Sequence, residues 1–420
     1  MPNFLVILAI LILTFLIEIN YVINKSIATT TESHENVKND KDQIPKKRIR
    51  KSIIKRPRFK WNLPIKYNIG NNLSTNIIES AIKKIEAETC VTFNKSTKHI
   101  KNETGINFRH AYLWCSSLVG RKSDSRPQMV LLTYNCSNQL GFVLHELGHA
   151  LGLRHEQSRR DRDKYIQIIR KNIDKFERYN FAPEPIHNSQ NFGISYDVTS
   201  IMHYDALDFA TAVDKPALLP LDLNYYLQIG QKNDYTFNDV KLINYLYCND
   251  TCKNSTLKCE HYGYPDPKNC SQCKCPSGFA GHNCSILQPD SNFTLCESYY
   301  YNATDKVQTL SRTGVMNCTF HIKSKNGQLV FLNITKLIAN PAPDLDNYLY
   351  CFTGMALEIK HRIDKSVTGL CLCNETIPPV NITSEGDDVI IIWSAKQPNH
   401  TFSLTYKEIN VTTTTSKPPP

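Results

Sequence analysis

His145-Glu146-Leu147-Gly148-His149-Ala150-Leu151-Gly152-Leu153-Arg154-His155 is the stretch on which the reading of this chain turns. His145 and His149 are four residues apart, so on a helix both imidazoles rise from one face and can reach one ion. Leu140, Val143, Leu144, Leu147 and Leu151 carry the spacing of a buried stripe, which predicts core on one side of that helix and the histidines on the other. Gly152 permits the positive φ that ends the helix, and the turn lets His155 arrive as a third ligand from a new direction. Three neutral imidazoles leave one coordination position open to water, the arrangement of a catalytic rather than a structural zinc. Glu146, beside the first ligand, is placed to take the water proton. A lone histidine is more often a satisfied core residue, but five fixed positions agree here, which chance produces on the order of once in a few million starts.

With 420 residues and 41% apolar content, the chain has room for two or three domains and at least one full core. Phe4 to Ile17 is almost wholly apolar and is followed at once by Glu18, so residues 1–23 read as a secretory signal peptide, not a stable membrane span. No Lys or Arg precedes the run, no small-residue cleavage site stands out, and no second apolar stretch is long enough to cross a bilayer. Fifteen cysteines, eleven of them between Cys252 and Cys373, point to an oxidising compartment and hence to a secreted, extracellular protein; the odd number leaves one thiol over. Asn-x-Ser/Thr acceptors at Asn72, Asn94, Asn102, Asn333 and Asn381 fit that route. The net charge of +10 is local: nine positive residues lie in Lys46–Lys60, and without them the chain is near neutral, which argues against a nucleic-acid partner. That basic stretch reads either as a solvated linker or as a processing site.

Residues 24–51 are polar without periodicity and read as a propeptide. A folded domain is expected over 52–248, opening with a strand marked by Leu63, Ile65 and Tyr67 and a helix marked by Ile77, Ile78, Ala81 and Ile85. Residues 249–285, dense in Cys and Gly, have too few apolar side chains for a core and must be held by bridges. Residues 287–408 show the apolar/polar alternation and turn residues of an all-β sandwich, as in Val389-Ile390-Ile391-Ile392-Trp393, and 409–420 form a disordered Thr/Pro-rich tail. No internal repeat is found.

The extended run HELGHALGLRHEQSRRDRD over 145–163, SIMHY over 200–204, CSSLVGR over 115–121, YDVTSIMHY from Tyr196 and IGQ over 229–231 resemble the astacin family of the metzincin clan, in particular the multi-domain astacins of nematodes. The resemblance covers nearly all of 52–248. It implies an α+β metzincin fold, one Zn2+ per subunit on His145, His149 and His155, and hydrolysis of peptide bonds in protein substrates by a zinc-bound water that Glu146 deprotonates. It further implies that Tyr204 ligates the resting metal and swings out to stabilise the oxyanion, with ordinary packing as the plainer alternative. Met202 is then an apolar floor and His203 a structural residue. Glu156 is expected near the ammonium of the processed N-terminus, which alignment of Trp61 puts near Ser52, directly after Arg48-Ile49-Arg50-Lys51. An activating protease for basic sites is thus an expected partner, alongside extracellular substrates that include matrix or cuticle. Two departures stand out: the prosegment lacks the Phe-x-Gly-Asp motif of several relatives, and Arg160 replaces a usual Pro.

In the family the catalytic-domain cysteines pair as Cys90 with Cys248 and Cys115 with Cys136. The next six cysteines resemble an EGF-like module, which implies Cys252–Cys270, Cys259–Cys273 and Cys275–Cys284; a zinc cluster is the competing reading. Residues 287–408 resemble a CUB domain, which implies Cys296–Cys318 and Cys351–Cys373, the latter favoured by Pro378 and Pro379, and leaves Cys371 as the odd thiol. The acidic residue expected soon after the third CUB cysteine is missing around Thr353 and Gly354, against calcium binding there. A different class of function, a catalytically dead domain presenting adhesion modules, is opposed by the intact Glu146, Tyr204 and three histidines.

Overall fold

Tyr67 and Ile65 both point into the core from the strand Ile65–Ile69, as their two-residue spacing requires. Leu63, expected to share that strand, lies outside it and is exposed, because the strand begins only after Pro64, which has no N–H for a ladder. The strand is the second of five in the order Phe93–Lys95, Ile65–Ile69, Ile106–His110, Gln128–Leu132, Ser116–Ser117; all neighbours are parallel except the last pair. The helix Thr75–Glu88 packs on this sheet through Ile78, Ala81, Ile82 and Ile85, with Ile77 half-buried. The computed structural model describes residues 53–54, 60–184, 189–289, 296, 298–339, 351–373 and 379–410, all in one unit that begins at Ile49. The expected signal peptide, the propeptide with its basic processing stretch, and the tail beyond Asn410 lie outside the described residues.

The helix Leu140–Leu151 lies in the same core. The expected division into a core face and a ligand face is too simple: every residue from Val143 to Leu151 is buried, because later segments of the chain cover the histidine side as well. The second half of this domain has little regular structure. A two-stranded ladder of Ile166–Ile168 with Leu218–Pro220 and the helix Phe237–Tyr247 frame it, the latter started by a capping box of Thr236 and Asp239. Cys90–Cys248 and Cys115–Cys136 bridge the domain. The first closes a separation of 158 residues; a loop of that size contributes on the order of 5 kcal/mol in the chain-entropy account.

Cys252–Cys270, Cys259–Cys273 and Cys275–Cys284 staple two short hairpins. The second pairs Phe279–Ala280 with Ile286–Leu287, so its ladder crosses the expected boundary at 285–287. The sandwich that follows has a five-stranded sheet, Tyr300–Ala303, Met316–Ser324, Asp388–Ala395, Leu357–Lys360, Leu370–Leu372, and a four-stranded one, Gln308–Thr313, Thr401–Ile409, Leu329–Ile338, Val380–Thr383. Trp393, Phe320 and Phe402 fill the space between them. Cys296–Cys318 and Cys351–Cys373 are bridged, and Cys371 is a buried free thiol. In the run Val389–Trp393 the alternation fails for a visible reason: Val389, Ile391 and Trp393 face the sandwich core, while Ile390 and Ile392 are covered by Phe279 and Leu287 of the stapled module.

Asp388, at the start of that strand, accepts from His321 Nε2 at 3.0 Å and from Lys365 Nζ at 2.8 Å. Burial alone would raise its pKa, but the hydrogen bond from His321 and the Lys365 ammonium hold it below the usual carboxylate range. A depressed folded pKa stabilises above the unfolded value and loses that contribution as pH falls. Asp388→Asn is therefore expected to cost about 2 kcal/mol at pH 7, a difference from wild type that shrinks below about pH 4. Urea denaturation of both proteins at the two pH values checks it.

Candidate active site

His145 and His149, one turn apart on the helix Leu140–Leu151, are each oriented by a carbonyl. His145 Nδ1 lies 2.8 Å from Ile201 O and His149 Nδ1 lies 3.0 Å from Leu153 O. A carbonyl can only accept, so each Nδ1 carries the proton and each Nε2 keeps its lone pair. Gly152, at φ 110°, ends the helix in the left-handed conformation. The chain then returns His155, whose Nε2 lies 3.1 Å from that of His149. Burial lowers the pKa of all three rings, that of His149 to about 4, so the triad is neutral near pH 7.

One donor atom from each ring falls within 4.8 Å of the others. Two nitrogens bound tetrahedrally to one zinc at about 2.0–2.1 Å stand roughly 3.3 Å apart, so the spacing and the N3 donor set suit that ion. Glu146 supplies an independent sign that a cation suits this site. Its Oε2 is buried and has no hydrogen-bond partner among the described residues. Burial pushes its carboxyl up to about 8, against the pull of the Lys232 ammonium.

Beneath the triad the backbone turns at Ser200-Ile201-Met202-His203-Tyr204. Met202 Sδ packs under the helix, where a Cβ on Gly148 would stand only 2.9 Å from it and would force the thioether to shift. Tyr204 places its ring 4.5 Å from that of His155, flanked by Phe181 and Phe209. His203 is fully occupied: Nδ1 donates to Tyr204 O at 2.7 Å and Nε2 accepts from Tyr196 Oη at 2.6 Å. Glu156 is buried next to His155; its N–H donates to Met202 O, and its Oε1 accepts from Arg159 Nη1 at 3.0 Å and Asp197 N at 3.1 Å. Arg160 is exposed.

The model of the peptidase family Astacin matches residues 53–248. Through that segment the chain belongs to the astacin family. It is 34% identical over 363 residues to zinc metalloproteinase nas-34 of Caenorhabditis elegans, covering 86% of this chain and 57% of that protein. With zinc metalloproteinase nas-37 of the same nematode the identity is 35% over 378 residues, covering 87% and 46%. The chain thus spans about half the length of these curated relatives. Among solved structures, high choriolytic enzyme 1, a hatching enzyme zinc-protease from Oryzias latipes, shares 32% identity over 46% of this chain and 92% of that one, with a TM-score of 0.40. Zinc is the metal of astacins, and His145, His149 and His155 are the described residues able to hold it.

Several residues that shape this astacin site escaped the reading of the sequence. Arg159 is fully buried and splits its guanidinium between Glu156 and both oxygens of Asp161. Asp239 accepts from Ser200 Oγ at 2.6 Å and Ile201 N at 3.2 Å, tying the Met202 turn to the helix Phe237–Tyr247. Lys232 is half-buried, donates to His203 O at 2.9 Å and Gly230 O at 3.0 Å, and is the positive charge facing Glu146. Arg159 and Asp161 lie in the run over 145–163 that carries the family resemblance without being singled out there, and Asp239 carries the Thr-x-x-Asp spacing of a capping box.

Proposed function

We propose that the chain is a secreted zinc-dependent endopeptidase that cleaves extracellular protein substrates after removal of its propeptide. The observation that carries this reading is a triad of neutral imidazoles beside Glu146, whose buried Oε2 has no hydrogen-bond partner among the described residues. Zinc, when bound, supplies a Lewis acid that polarises the scissile carbonyl and acidifies water. Glu146 takes the proton of the attacking water and passes it to the leaving amine. Tyr204 offers its hydroxyl, protonated because burial raises its pKa, to the developing oxyanion. The carbonyls of Ile201 and Leu153 hold the imidazoles in the tautomer that ligation needs. Seven disulfides favour an oxidising, extracellular setting. The stapled module and the sandwich read as EGF-like and CUB units. The experiment is cleavage of a denatured protein by the matured chain with and without a zinc chelator: activity lost on chelation and restored by zinc supports the reading, and equal cleavage in all samples would overturn it.

Activation by a protease for basic sites is supported by the burial of the chain just after that site. Ile53 and Ile54 are fully buried; Ile54 N donates to Gly152 O, and Ile53 bridges to Leu153, two residues before His155. A chain cut near Ser52 would deliver its new ammonium beside Glu156. Arg50→Ala with Lys51→Ala is expected to leave an uncut precursor with activity reduced about a hundredfold or more. N-terminal sequencing with a peptide assay checks it, and full activity in the uncut chain would refute the scheme.

A further inference from the structure

The segment Tyr196–Tyr204 straddles two cores. Ile201 and Met202 belong to the cluster under the histidine helix, whereas Tyr196, Val198 and Tyr204 belong to a second cluster. That second cluster does not end with the catalytic domain: it continues through Tyr225 and Ile229 into Leu357, Leu370 and Leu372 of the C-terminal sandwich. A module joined by a continuous core is held in one position, unlike a module on a tether.

The polar contacts single out one loop of the sandwich. Arg362 lies over the rings of Tyr165 and Tyr225, 5.3 and 5.5 Å from their centroids, and donates to Tyr196 O at 3.3 Å. Thr368 donates through Oγ1 at 3.0 Å to Asp197 Oδ2. Asp197 is itself buried; its Oδ1 accepts from Thr199 N and Oγ1, and its N–H donates to Glu156 Oε1. Gln228 closes the other side, donating to Gly369 O and accepting from Cys371 N. Thr368 N also donates to Asp197 Oδ2 at 3.3 Å, so Asp197 alone links Thr368 by hydrogen bonds to the residue after the third histidine.

We propose that the C-terminal sandwich is a built-in brace of the active site: the loop His361–Gly369 grips Tyr196 and Asp197, and thereby holds the Met202–Tyr204 turn and Glu156 against the histidine triad. Arg362 and Thr368 are on this view positioning residues for peptide-bond hydrolysis; the catalytic part of the claim rests on the peptidase reading above. The physical logic is that Tyr204 sits on a stretch with little regular structure of its own, so its position depends on what packs behind it.

The test uses the full matured chain, with Arg362→Ala/Thr368→Val as the strong variant, Thr368→Val as a near-isosteric one that keeps the fold, Thr368→Ser as the rescue, and Val307→Ser on an exposed part of the sandwich as control. Two readouts are taken: backbone hydrogen exchange of 198–204, with and without zinc, and kcat and KM on a short peptide, which excludes substrate docking on the sandwich. The brace predicts exchange about tenfold faster over 198–204 in the strong variant, with Leu140–Leu151 unchanged, kcat lower by about tenfold and KM within about twofold. Thr368→Val should give a smaller change of the same kind, and Thr368→Ser should restore it. Wild-type exchange in the strong variant, or faster exchange with wild-type kcat, would overturn the proposal. If the wild-type chain cleaves no peptide at all, the peptidase reading fails, and the exchange experiment still decides whether the brace exists.

Discussion

Glu146→Gln is expected to lower kcat by about a thousandfold or more while the chain still binds one zinc. The carboxamide has the same shape but cannot accept a proton. Zinc retention follows from the donor set, which consists of three imidazoles to which Glu146 contributes nothing. The same group sets an acid limb: activity needs the ionised carboxylate and falls as pH drops through its pKa. Burial places that pKa at about 8 with Lys232 as the opposing charge. A bound divalent cation adds a second positive charge and moves the limb lower. Steady-state kinetics across pH together with metal analysis of both proteins test the point. Loss of zinc from the variant, or retention of wild-type kcat, would remove Glu146 from the role of base.

Arg159→Met is expected to destabilise the catalytic domain by about 3–5 kcal/mol at pH 7. The guanidinium is fully buried and bonded to Asp161 Oδ1 and Oδ2, both at 3.0 Å, to Glu156 Oε1 at 3.0 Å and to Ile194 O at 3.1 Å. Methionine fills much of the volume, so the loss is electrostatic: two buried carboxylates remain without their counter-charge. The sign with pH follows. Burial pushes the Glu156 carboxyl up to about 8 even with Arg159 beside it, so its share of the penalty is relieved by protonation below that value and the gap to wild type widens as pH rises through it. Urea midpoints at two pH values, followed by a signal from the catalytic domain, measure it. An unchanged midpoint at pH 7 would mean that water replaces the guanidinium.

These two cases differ in how far they could be read from the chain. Glu146 and the histidines are separated by one turn or one tight turn, so local geometry brings them together in any protein that forms that helix. Arg159, Asp161, Asp197 and Lys232 have no hydrophobic period that assigns them a place; even the first three, which lie in the runs that resemble the family, look like surface charges until the fold buries them, and Lys232 ends half-buried. Leu63 and the run Val389–Trp393 mislead for different reasons. Leu63 is left outside the strand by the adjacent Pro64 and faces solvent, whereas Val389–Trp393 is covered on its second side by the stapled module, distant in sequence.

The amino-acid order by itself determined what depends on short separations and residue chemistry: the histidine helix, its glycine stop, the third histidine, the carboxylate beside the first, and a Cys-rich module too small for a core. Only the tertiary structure decided what depends on burial: which charges are drawn inside to pair with Glu156, which carbonyls set the imidazole tautomers, and that the core behind Tyr204 runs on into the C-terminal sandwich. The reason is the same throughout. Helix periodicity is a property of the local chain, whereas desolvation is a property of everything that packs around a group.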